Sequence, residues 1–232
     1  FFGSGTSTYK VILGDSSSAL FGTSDVRIVN TGEFLGQSKI VPNSTISGNS
    51  FTVKASSLSV SLASTPSSGS VVKKQSMIPS VGLVLTAGAQ SDVLVTAMKF
   101  TGAATSTATA GFAASQLDDA VTSCSLFDGA TQVGLSQSPD STLGTMNVTN
   151  MALRIARGTS KTLILKCTTD SVVFNTTDGD KYSVGIAAAA DVTAEDQDSN
   201  SLTATLSAGV VSNAAATGQA VIQTVKNSGS LT

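Results

Sequence analysis

The chain contains no histidine and no tryptophan. Without histidine no side chain ordinarily titrates near neutral pH, which removes the Ser-His-Asp triad, the Cys-His dyad and the commonest zinc ligand. Charge is scarce too: 12% of the 232 residues are Asp, Glu, Lys or Arg, against about 25% in an ordinary soluble domain. A net charge of −2 offers no basic surface for a nucleic-acid backbone. The one basic pair, Lys73-Lys74, reads as the solvated edge of a strand. No apolar run approaches the ~18 residues of a membrane span. The longest, "VGLVLTAGA" (81–89) and "VGIAAAADV" (184–192), have the length of strands. The G-x-x-x-x-G-K-[ST] phosphate loop is missing, and the glycines of "GFAAS" and "RGTSK" read as turn glycines. The two cysteines, Cys124 and Cys167, lack the C-x-x-C spacing of a redox motif. The chain opens on Phe1 rather than Met, which reads as a processed or trimmed product from which any signal peptide has already gone.

Low charge does not make the chain disordered, because disorder requires few apolar residues and a high net charge. Here 41% of residues are hydrophobic, with Val, Ile and Leu recurring throughout. The apolar residues mostly alternate with Ser and Thr, the period of a half-buried strand. "SLSVSLAS" (57–64) puts Leu58, Val60 and Leu62 on one face. "SDVLVTAMKFTG" (91–102) has Val93, Val95, Met98 and Phe100 as apolar positions, and the slip between Val95 and Met98 predicts a bulge. "VTSCSLFDGATQVGL" (121–135) reads as a hairpin turning at Asp128-Gly129. "ALRIARGTSKTLILKC" (152–167) reads as a second, turning at Gly158, and "NTTDGDKYSVGI" (175–186) turns at Asp178-Gly179 into a strand at Tyr182. "AGFAASQLDDAV" (110–121) is either a short helix or an irregular connection. The expected fold is all-β: Ig-like β-sandwich modules in tandem, with at most one short helix near 112–121.

The tandem expectation comes from an internal repeat. Tyr9 in "TYKV" and Tyr182 in "KYSV" are 173 apart, the "TVK" at Thr52 returns 172 later at Thr224, and Leu58 returns as Leu231 after 173. Three landmarks in one order at one period define a module. Residues 1–57 then form the second half of a module, 58–227 a complete one, and 228–232 the start of another. A half sandwich leaves strand edges unpaired, so residues 1–57 need a partner from a longer polypeptide or from another copy. Thr52, Val53, Leu58, Val60, Val225 and Leu231 mark the expected assembly strands.

The order "SLSVSLAS…IPSVGLVLTAGAQSDVLVTAMKFTG…CSLFDGATQVG…LRIARGTSKTLILKC" resembles the β-sandwich repeats of large bacterial surface-layer and adhesin-like proteins, especially those of Candidate Phyla Radiation bacteria. The likeness runs over about residues 50–232 and is sharpest in the hairpins at 126–134 and 157–163. It implies an extracellular structural role with no catalytic residues.

Other features admit two readings each. Cys124 and Cys167 both fall in strand patterns. In a secreted sandwich they read as a bridge between facing strands, worth ~2–4 kcal/mol; two buried free thiols are the alternative. "DVTAEDQDSN" (191–200) gathers Asp191, Glu195, Asp196 and Asp198. Calcium is the metal such hard oxygens would take, with Asp178 and Asp180 contributing from a nearby loop, but no complete calcium-loop frame is present and a solvated turn is the plain alternative. Sequons place candidate glycosylation at Asn43, Asn147 and Asn175. Asp118-Asp119 is an adjacent carboxylate pair whose side chains diverge, better suited to a loop or helix end than to a hydrolase site.

The resulting expectation is a non-enzymatic structural subunit of an extracellular array, a surface layer or filament at the cell surface. Its partners are other copies of itself, and strands are shared at the termini. The alternative is a stalk or adhesin module binding a glycan or protein ligand through its loops. With two tyrosines and no tryptophan, the chain has few aromatic platforms for a sugar.

Overall fold

The computed structural model describes residues 7–13, 46–53, 55–105, 111–207 and 221–227. The chain divides into two compact units, Phe1–Ala55 and Ser56–Thr232. In the first unit, β1 (Ser7–Leu13) and β2 (Ile46–Val53) pair antiparallel. Thr8 faces Thr52 and Tyr9 faces Phe51, with an irregularity between Lys10 and Ile12.

The second unit is a β-sandwich of two sheets, in agreement with the all-β expectation. In chain order its strands are β3 (Leu58–Leu62), β4 (Gly69–Val72), β5 (Ile78–Ala87), β6 (Val93–Thr105), β7 (Val121–Asp128), β8 (Thr131–Gln137), β9 (Thr145–Val148), β10 (Leu153–Ile155), β11 (Ser160–Thr169), β12 (Asp180–Gly185), β13 (Val192–Asp196), β14 (Ser201–Leu202), β15 (Ala204–Leu206) and β16 (Gln223–Lys226). One sheet runs β15-β3-β5-β11-β7-β8. The other runs β14-β13-β6-β12-β16-β4, with β9 and β10 also paired to β6. Alternation sends Leu58, Val60, Leu83, Leu85, Leu126, Leu163 and Leu165 of the first sheet into one core with Val93, Val95, Met98, Phe100, Ile155, Tyr182 and Val225 of the second. The two sheets are also tied by a buried hydrogen bond of 2.8 Å between the Tyr182 and Ser80 hydroxyls. Burial pushes the Tyr182 phenol up to about 12, opposed by that hydrogen bond.

Period-two segments settle as read. β7 and β8 form the hairpin, closed by Asp128 opposite Thr131. Gly129 takes a φ of +61° and Asp128 does not share it; a single positive φ at the first loop position is the II′ pattern. The slip in β6 is a bulge: Thr193 faces Ala97 but Ala194 faces Val95, so Thr96 has no opposite on β13. On the other edge, β9 ends at Val148 opposite Met98 and β10 resumes at Leu153 opposite Val95. The short helix is a 3-10 turn at Ala114–Gln116 running into α1 (Leu117–Ala120), which buries Leu117 and Ala120.

The hairpin expected at Gly158 is not one. β10 pairs with β6 in one sheet, whereas β11 pairs with β5 and β7 in the other. Gly158, at a φ of +69°, is where the chain crosses between sheets. Alternation is the same on either side of such a crossing, because both strands bury their apolar face in the same core.

Candidate assembly site

The way the chain enters and leaves the second unit sets what the unit can join. Ser57 starts it beside the β5–β6 and β10–β11 turns, where Gly88 N–H donates to the Ser57 carbonyl and Gly158 N–H to the Gly88 carbonyl. We call this end the leading pole. β5 runs from Ile78 at the far end to Ala87 at this one, a ten-residue strand spanning about 30 Å. At the far end, the trailing pole, Lys73 N–H donates to Lys226 carbonyl, Lys74 N–H to Asp170 carbonyl and Thr169 N–H to Gln75 carbonyl. The chain therefore comes in at one pole and goes out at the other.

Two parallel pairings bring the first and last strands together. β15 lies parallel to β3, Ala204 opposite Leu58. β16 lies parallel to β4, Gln223 opposite Gly69 through Lys226 opposite Val72, and antiparallel to β12, Lys181 opposite Thr224. The β3–β4 connection reaches the second sheet by crossing the backbone of β5 at Gly82. There Ala63 N–H donates to the Gly82 carbonyl at 2.8 Å, and a side chain at 82 would collide with the Thr65 carbonyl and, at 2.9 Å, with the Ala63 methyl. Only glycine leaves room for that crossing.

The expected assembly strands are placed differently from unpaired ends. Thr52 and Val53 lie opposite Thr8 and Ser7 within the first unit. Leu58 and Val60 are buried on β3, which is flanked by β15 and β5, and Val225 is buried on β16 between β12 and β4. β3 and β16 are completed inside the second unit, because the parallel pairings supply the neighbours an exchanged strand would bring. Leu231 lies outside the described residues, as does Asn43.

Cys124 and Cys167 form a disulfide. They face each other on the neighbouring strands β7 and β11 of one sheet, so the bridge staples two adjacent strands rather than joining the two sheets. Both side chains stay inside the core.

The acidic loop is spread over separate jobs. Asp191 forms an ion pair with Lys99 at 2.6 Å and accepts a hydrogen bond from Ala188 N–H. Asp196 closes the β13–β14 turn by accepting from the backbone N–H groups of Asp198 and Asn200, and its second oxygen accepts from the Ser56 hydroxyl. The Asn200 N–H above all holds its carboxyl below the ordinary value. Glu195 sits mid-strand opposite Leu94 and Ser201, and Asp198 is exposed at the turn. Among the described residues no group of three or more Asp, Glu, His or Cys side chains is placed to hold a metal ion. Asp178 and Asp180 are engaged elsewhere. Buried Asp180 accepts from Phe174 and Asn175 N–H, and Asp178 donates its N–H to the Asn175 side chain.

The sequon asparagines sit differently: Asn175 is largely buried and its amide oxygen accepts from Asp178 N–H, capping the turn. Asn147 is exposed on β9. Asp118 and Asp119 lie in the first turn of α1, a helix-end placement suited to acidic side chains. Lys73, by contrast, donates to the Asn227 side chain at 3.0 Å, joining the end of β4 to the end of β16.

Beside that contact lies a shallow polar pocket of about 190 Å³, lined by Asn175, Thr176, Thr177, Gly179, Lys226 and Asn227. It falls below the ~300 Å³ at which small-molecule sites begin.

β1 and β2 pair in the register of β12 and β16: Ser7 with Val53 and Asp180 with Val225, Thr8 with Thr52 and Lys181 with Thr224, Tyr9 with Phe51 and Tyr182 with Gln223. The periodicity of 173 and 172 in the sequence therefore carries over residue for residue into strand pairing. No protein-family model matches the chain, and no curated protein is significantly similar to it.

Proposed function

We propose that this chain is a structural, non-enzymatic segment of an extracellular array built from β-sandwich modules in series, a surface layer or filament. The observation that carries the reading is the shared register of β1–β2 and β12–β16, which supports reading residues 1–57 as the closing half of a module and 58–227 as a whole one. In the second unit the counterpart of β2 is flanked by β4, and the counterpart of β1 by β6. A closing half-module needs the same two neighbours, supplied by a preceding module or by another copy. Opposite poles for the incoming and outgoing chain suit units strung end to end. A disulfide fits an oxidising compartment, and the low charge suits close side-by-side packing. Electron microscopy of concentrated full-length chain tests the reading. Ordered strings or sheets are expected, and monodisperse particles at every concentration would contradict it.

The stalk or adhesin reading draws on the trailing pole, where Met77, Val172 and Phe174 are exposed. Saturable binding of a glycan or protein, abolished by Phe174→Ala, would favour it.

A further inference from the structure

We propose that the parallel β4–β16 pair is a force-bearing clamp: it makes the second unit resist extension along its own axis far more strongly than separation of the same two strands from one end.

The inference follows from direction and register. Tension applied through the chain pulls Ser56 out of the leading pole and Asn227 out of the trailing pole. β3 begins at the leading pole, with Leu58 opposite Ala87, and continues through the crossover into β4. β16 ends at the trailing pole. Tension therefore drags β4 toward one pole and β16 toward the other. Because the two strands are parallel and directly paired from Gly69–Gln223 to Val72–Lys226, they must slide past each other. All their hydrogen bonds are strained together, and none can be released before the rest.

The pair is also bracketed at both ends. At the start, Gly69 N–H donates to the Ile222 carbonyl, Ile222 N–H to the Ser68 hydroxyl at 2.9 Å, and the Gln223 side chain to the Ser67 carbonyl at 3.0 Å. At the end, Lys73 bonds Lys226 through its N–H and Asn227 through its ammonium group. Val225, fully buried, anchors β16 in the core, and β12 holds its other edge in the opposite sense. β3 is loaded in the same sliding mode between β5 and β15, where Ser207 N–H closes the parallel pair onto the Val60 carbonyl. The disulfide joins β7 to β11 and so lies outside both sliding pairs. The clamp is a property of this unit's topology and holds whether or not the array reading is correct.

Single-molecule extension of the full-length oxidised chain tests this, because forced unfolding reports the barrier and not the equilibrium. In one arm, handles are attached at the two chain ends. In the other, they are attached at the exposed β4–β5 turn through Ser76→Cys and at the C-terminal end, so that β4 and β16 part from the trailing pole one bond at a time. The unfolding step belonging to the second unit is identified by its disulfide. The bridged residues are 43 apart, so reduction lengthens that step by roughly 150 Å. A several-fold higher force in the end-to-end arm is expected. Equal forces in the two arms would overturn the clamp, as would an end-to-end trace in which β16 leaves in a small low-force step before the rest opens.

Discussion

Thr8 stands opposite Thr52 in the register in which Lys181 stands opposite Thr224. A one-residue slip in either pair would turn every side chain of one strand to the other face, so agreement over three successive pairs is a demanding coincidence. The relationship makes a direct prediction. The double substitutions Thr8→Cys/Thr52→Cys and Lys181→Cys/Thr224→Cys will each oxidise to a bridge, mapped by mass spectrometry. Thr8→Cys/Phe51→Cys, one residue out of register, will not.

Gly82 is predicted to be intolerant of any side chain. Gly82→Ala places a methyl group against the Thr65 carbonyl and the Ala63 methyl, forcing the crossover off the sheet and costing about 1–3 kcal/mol. Gly111→Ala meets nothing within 4 Å and will change stability by less than about 0.5 kcal/mol. Urea unfolding midpoints distinguish the two.

The disulfide closes a loop between residues 43 apart. By the chain-entropy account that loop is worth about 4 kcal/mol. Reduction will lower the denaturant midpoint and steepen the slope, because the thiols remain in the core while the unfolded chain, released from its loop, exposes more surface. A protein whose midpoint is unmoved by reduction would show that the bridge adds no stability.

Asp180 introduces a pH dependence of known sign. Burial raises its carboxyl above the ordinary value of 3.8, opposed by the Asn175 and Phe174 N–H groups; the negative charges of Asp119 and Asp170 add to the rise. A folded pKa above the unfolded one means the native state binds the proton more tightly. The resulting stabilisation is complete below the unfolded value and is lost as pH rises through the folded one. Carboxyl carbon chemical shifts will place the Asp180 midpoint above that of Asp196, whose hydrogen bonds pull it the other way.

Much of the architecture was legible because alternation reports directly on burial. The bulge at Thr96 appeared in the sequence as Val95 and Met98 falling out of phase, and the β7–β8 turn as Asp128-Gly129. Alternation does not say which sheet a strand joins. That is why the turn at Gly158 read as a hairpin when it is a crossing between sheets. The bridge expected between Cys124 and Cys167 is present, on two neighbouring strands of one sheet. The parallel strands were harder still. β4 and β15 have four and three residues, too few to show a period, and their partners lie more than a hundred residues away along the chain. The engagements of the acidic loop were not legible, because Asp191 and Asp196 are held by Lys99 and by a turn through contacts that local sequence does not encode.

The most direct test is a near-atomic electron microscopy map of the native assembled material, read at the edge of β2 away from β1. In the second unit, Gly69, Ser70 and Val71 lie parallel to Gln223, Thr224 and Val225. The account predicts a strand running parallel to Phe51, Thr52 and Val53 in that same register. An antiparallel strand there, or an edge facing only solvent, would contradict it.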